Sequence, residues 1–242
     1  MNVDLSKTVR ELAVENPAAT RVFEKFGIDY CCGGGKSLGE ACQAANIAPD
    51  KLLDLLRSAG QSKSTNGNRE WNSESLADLI DHIVDTHHAY TREELDRLDP
   101  LLAKVCSVHG QRHPELLRIQ QLLGGLSQEL TMHMMKEEQV LFPYIHRMEE
   151  AVLEKRPIMP PMFGTVQNPV QMMMHEHDSA GQALHEMREL SAGYTAPQDA
   201  CVSFQTLYRA LDEFERDLHQ HIHLENNILF PRAVEMESGH RL

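Results

Sequence analysis

The feature that most constrains this chain is a pattern that occurs twice. HMMKEEQVLFP spans 133–143 and HIHLENNILFP spans 221–231, an offset of 88 residues. His, Glu, Leu, Phe and Pro coincide at 133/221, 137/225, 141/229, 142/230 and 143/231. Each copy closes an apolar stripe. The first runs Ile119, Leu123, Leu126, Leu130, His133, Glu137, Leu141, and the second runs Leu207, Leu211, Phe214, Leu218, His221, Glu225, Ile228. Steps of three and four mark the inward face of a helix in a bundle. Each helix therefore aims a His and a Glu, one turn apart, into its core. A buried carboxylate must be paired, neutralised or metal-bound, so two such pairs suggest one shared metal centre.

Two further stripes match. Val84, His88, Thr91, Leu95, Leu98 and Met173, His177, Ala180, Leu184, Met187 both step by four and three. His88 precedes His133 by 45 residues and His177 precedes His221 by 44. The expected fold is all-α, an up-down-up-down four-helix bundle. Its helices should run from near Ser73 to about Cys106, from Pro114 to about Glu154, from Asn168–Pro169 onward, and from Thr195–Pro197 onward. Gln171 lies three residues after the Asn168 cap, and Gln198 would complete a capping box with Thr195. Short joints make the helices of each hairpin antiparallel neighbours. Each hairpin then brings one His opposite one His-x-x-x-Glu, and the candidate ligands are His88, His133, Glu137, His177, His221 and Glu225. Periodicity alone could favour His87, which follows Ile80, Ile83 and Val84, whereas the repeat register favours His88. His87 then belongs beside the ligands or in ordinary packing. Glu129 and Asp217 each precede a ligating histidine by four residues and are candidates to support the centre. Glu138 and Glu176 should face elsewhere. Pro143 and Pro231 should kink or end their helices.

Imidazoles and carboxylates without thiolate suit iron, manganese or zinc, and two carboxylates able to bridge favour two metals. Two octahedral ions offer about 12 positions, of which about two would stay open after four His, two bridging Glu and an oxo or hydroxo bridge.

The front of the chain differs. All 14 histidines lie between His82 and His240. Residues 1–60 hold 7 basic and 8 acidic side chains, whereas 71–242 hold 14 and 27. Four short helical stretches (TVRELAVEN, PAATRVFEKFG, SLGEACQAAN and PDKLLDLLRSAG) make a helical domain over 1–60, and 61–71 reads as a linker to a bundle over 72–242. A core of this size is marginal, so docking or dimerisation would help. YCCGGG (30–35) is a turn that leaves Cys31 and Cys32 accessible, for thiol exchange, transient metal binding or contact with a damaged cluster, or as incidental thiols. Cys106 and Cys201 look like small buried hydrophobes, and the methionines like adaptable core. His82, His109, His113, His146, His185, His219, His223 and His240 look like surface residues, and His175 turns away from His177. A net charge of −13 argues against nucleic acid. No run is long enough for a membrane span, and no apolar leader opens the chain, so the cytoplasm is the expected location.

The repeated HxxxE…LFP pattern resembles the hemerythrin-like HHE four-helix bundle. FGIDYCCGGGKSLGEAC (26–42) resembles the N-terminal domain that accompanies it in the RIC family of iron–sulfur cluster repair di-iron proteins. EHDSAG (176–181) adds to the likeness, which covers nearly the whole chain. It implies a non-haem di-iron centre, oxo-bridged, on the six residues above. It also implies a homodimer that repairs iron–sulfur proteins damaged by nitric oxide or oxidants. NO reduction or peroxide turnover at the open positions, and O₂ or iron sensing, are the alternative activities. Without metal, Glu137 and Glu225 would be expected to leave the bundle centre strained by unpaired carboxylates.

Overall fold

A computed structural model describes residues 4–31, 33–61 and 71–240; Cys32 and most of the expected linker lie outside them. Eight helices and no strand occur among the described residues. The first four are short: α1 (Val9–Glu15), α2 (Ala18–Lys25), α3 (Leu38–Ala44) and α4 (Pro49–Gln61). Thr8 with Glu11 and Ser37 with Glu40 form reciprocal capping boxes that start α1 and α3. Val9, Leu12, Phe23, Tyr30, Leu38, Leu52 and Leu56 form the core of this unit.

The bundle follows. Helix α5 joins Leu76–His82, a π turn at Ile83–His88, and Ala89–His109. Helix α6 joins Glu115–Lys136, a π turn at Glu137–Leu141, and Phe142–Leu153. Helix α7 is Gln167–Leu190. Helix α8 joins Val202–Leu224, a π turn at Glu225–Leu229, and Phe230–His240. Ser75 caps α5 through the Asp78 amide, and the Glu149 carboxylate on α6 accepts from the Leu76 and Ala77 amides at 2.7 and 2.9 Å. A carboxylate on free N-terminal amides also suits the helix dipole.

Several expected boundaries move. Helix α8 starts at Val202 behind Cys201, not at Thr195, because Ala192, Gly193 and Tyr194 turn through positive φ. Asn168 does not cap α7. Its amide donates to the Phe163 carbonyl at 2.7 Å, and the Glu237 carboxylate accepts from the Val166 amide. Neither proline ends its helix. A proline lacks its N–H and clashes with the carbonyl four residues back. In both places the preceding turn widens to the π pattern: Phe142 N–H bonds the Glu137 carbonyl, and Phe230 N–H bonds the Glu225 carbonyl. The third π turn, in α5, has no proline to account for it.

Two apolar clusters bracket the middle of the bundle. One runs from Leu95, Leu98 and Leu102 to Phe214 and Leu218. The other gathers Leu76, Ile83, Phe142, Met173 and Phe230. Of the methionines, Met134, Met148, Met173 and Met187 are buried, whereas Met132, Met135, Met159, Met162 and Met172 are exposed. The N-terminal unit docks on α8. Tyr30 stacks edge-on to His223 at 5.3 Å between ring centres, and Asn227 donates to the Tyr30 carbonyl at 3.1 Å. No helix among the described residues is long and apolar enough to cross a membrane.

Candidate metal centre

Between the two apolar clusters lies a polar layer. His88, His133, Glu137, His177, His221 and Glu225 are each at most 2% exposed. They form two groups of potential ligands. His88 and His221 sit with Glu137 and Glu225, and so do His133 and His177. Both carboxylates thus belong to both groups. The pairing crosses the hairpins, α5 with α8 and α6 with α7, rather than joining the histidines of one hairpin as the sequence order suggested.

The distances test the fit of a metal pair. His88 Nε2 lies 3.1 Å from His221 Nε2, and His177 Nε2 lies 2.9 Å from His133 Nε2. Glu137 Oε2 is 3.4 Å from His88 Nε2 and 3.3 Å from His133 Nε2. Glu225 divides its oxygens, Oε1 at 3.1 Å from His221 Nε2 and Oε2 at 3.1 Å from His177 Nε2. Two adjacent ligands on an octahedral ion, each about 2.1 Å from it, lie about 3.0 Å apart. Both oxygens of Glu137 and Oε2 of Glu225 are buried without a well-formed hydrogen bond. Burial of bare carboxylate oxygens is costly unless a cation meets them. The six residues therefore form two groups, each with the donors a metal ion takes, that share both carboxylates.

In the metal-free layer the facing carboxylates favour the protonated form of two of the histidines. Burial pushes His88 and His177 down, but the facing Glu225 and Glu137 outweigh it, raising His88 to about 10 and His177 to about 9. Burial instead prevails at His221, which is lowered. Burial alone would raise Glu225, yet His221, His177 and His88 hold it well below the usual carboxylate range. The metal-free centre thus keeps carboxylate oxygens without a hydrogen-bond partner, while the raised His88 and His177 lie 3.4 and 3.1 Å from Glu137 and Glu225.

The outer nitrogens correct a second expectation. His88 Nδ1 donates to Glu138 at 2.7 Å, with Arg92 behind that carboxylate. His133 Nδ1 donates to Glu176 at 2.8 Å, with Lys136 behind it. His177 Nδ1 donates to Asn226 Oδ1 at 2.8 Å. Glu138 and Glu176 were expected to face elsewhere, because one residue along a helix turns about 100° from the ligand face. That flank meets the histidine of the neighbouring helix. The signal available in the sequence was their place beside Glu137 and His177. Glu129, by contrast, is exposed and accepts a long bond from Ser179 at 3.5 Å. Asp217 holds His87 Nδ1 at 3.0 Å, and the His87 ring lies parallel to that of His221 at 5.8 Å. Both His87 and His88 are buried, and the π turn across Ile83–His88 explains why a regular helical period favoured the wrong one for the metal face.

Elsewhere the outcome is mixed. His109 and His223 are buried, not surface, residues, and burial lowers His223 to about 4. Cys201 is exposed at the start of α8, where His109 Nε2 lies 3.2 Å from its sulfur. Cys31 is 1% exposed, not accessible; its thiol donates to Asp29 at 3.2 Å and packs against the bundle. A cleft of about 610 Å³ lies beside it, between the N-terminal unit and α7 and α8.

Comparison with known proteins places this arrangement among relatives. Residues 79–233 match the hemerythrin HHE cation binding domain, and residues 5–60 match a domain of unknown function (DUF542). The chain is 39% identical over 224 residues to a probable iron–sulfur cluster repair protein of Haemophilus influenzae, covering 93% of this chain and 95% of that one. It is 36% identical over 232 residues to the iron–sulfur cluster repair protein YtfE of Yersinia pseudotuberculosis, covering 96% and 98%. Identity to YtfE of Pectobacterium carotovorum is 35% over the same length.

Proposed function

From the premise that this chain belongs to the iron–sulfur cluster repair family with a hemerythrin HHE domain, we propose that it restores damaged iron–sulfur proteins using iron held in the bundle. The observation that carries this reading is the membership of Glu137 and Glu225 in both ligand groups. Glu137 and Glu225 would serve both irons at once, so that either ion could be held, or released, without the other losing its carboxylates. His88, His133, His177 and His221 anchor the pair, and the apolar clusters above and below keep water away. When bound, a di-iron pair supplies positions for small ligands such as NO or O₂ and a reserve of ferrous iron. Iron is then both the resident group and the cargo delivered to a client cluster.

The test joins metal analysis to repair. Purified chain loaded anaerobically should carry two irons with coupled Mössbauer spectra. Mixing it with an NO-damaged cluster protein should restore the cluster while one iron leaves. Glu137→Gln and His221→Ala should abolish both loading and restoration. Full restoration by a variant that holds no iron would refute the reading, and catalytic loss of NO without any transfer of iron would replace it with an enzymatic one.

A further inference from the structure

Three of the four inward histidines are braced from the next helix around the bundle, and the fourth is not. Glu138 on α6 braces His88 of α5, Glu176 on α7 braces His133 of α6, and Asn226 on α8 braces His177 of α7. Continuing the cycle, His221 of α8 should be braced from α5, by the residue beside His88. That residue is His87. Its Nδ1 is committed to Asp217, and its ring lies flat beside His221 instead of pointing an acceptor at it. His221 Nδ1 is buried and has no hydrogen-bond partner among the described residues.

We propose that the two metal positions are inequivalent, and that the iron between His88 and His221 is the one that departs first. This rests on the reading that the centre donates iron. The reason lies in the tautomer. An imidazole bound to metal through Nε2 carries its proton on Nδ1, and a brace both accepts that proton and strengthens the ligand. At His88, His133 and His177 the acceptor is in place. At His221 metal binding leaves a buried N–H with nothing to receive it. Metal binding at Nε2 therefore leaves an unsatisfied buried donor at one position only. Both histidines of the other position keep their braces, so that iron stays.

The experiment reads occupancy rather than activity. Chain loaded with two ferrous ions is treated with one equivalent of a ferrous chelator and crystallised anaerobically, and anomalous diffraction at the iron edge measures each position. Occupancy should fall between His88 and His221 and persist between His133 and His177. In solution, chelation should be biphasic, the two rates differing by about 10–100-fold, the usual effect of an outer brace. Removing the brace from His177 with Asn226→Leu should narrow the gap to less than about threefold, with circular dichroism checking the fold. Loss first from His133 and His177, or equal loss from both, would overturn the inference while leaving iron donation intact. Failure to load two irons at all would overturn both.

Discussion

Loading this centre should expel protons, and their number follows from the electrostatics of the metal-free layer. His88 holds its proton up to about pH 10 and His177 to about 9, because each faces buried Glu225 and Glu137. Metal must displace both protons from Nε2. At pH 7.5 that costs about 5 to 6 kcal/mol for the pair, at about 1.4 kcal/mol per pH unit per proton. Two expelled protons also mean that the combined affinity for two ions rises about 100-fold per unit between pH 7 and 8.5. Calorimetric titration in two buffers of different protonation enthalpy counts the protons directly. At least two per loaded chain are expected at pH 7.5, with the number falling above pH 9. A release below one proton, unchanged with pH, would refute the reasoning, since the carboxylates would then be held by something other than imidazolium.

Further expectations concern stability and bracing. In the metal-free chain the raised His88 and His177 stabilise fully below their ordinary value near 6.5, and that contribution is lost as pH climbs through 9 and 10. Its melting temperature by circular dichroism should therefore fall from pH 7 to 10, whereas loaded chain should fall less. Glu176→Gln and Glu138→Gln should each weaken metal affinity about 10–100-fold in chelator competition, whereas Glu129→Gln, altering an exposed group, should not. Glu237 is buried and accepts from Tyr144, Thr165 and the Val166 amide, tying α8 to α6 and the start of α7. Glu237→Ala should lower stability in urea by about 4 kcal/mol, the cost of stranding several buried donors.

The six inward residues were legible because a repeated stripe records which face of each helix is buried. The braces were not, because periodicity within one helix carries nothing about which side chain of the next helix reaches its flank. The π turns escaped for a related reason. One added residue shifts every later position by about a third of a turn, and neither His87–His88 nor Glu137 announces it. Pro143 and Pro231 did signal a disturbance, but its form, a widened turn rather than an end, depends on packing that continues beyond it. Cys201 was misread because its apolar character says nothing of a place at the head of a helix. Docking of the short helices was foreseen as a need, but its contacts, Tyr30 on His223 and Asn227, join residues nearly two hundred positions apart.

The cross-hairpin pairing of histidines has one more consequence. Neither half of the bundle owns a complete site, for each metal position draws on α5 with α8 or on α6 with α7, and both need a carboxylate from each half. Bound ions would act as rivets through that seam. A chain cut in the loop between α6 and α7 should yield two pieces that rejoin when iron is supplied and drift apart when it is stripped. If the centre gives up iron, as proposed, it would also loosen the joint between its own halves.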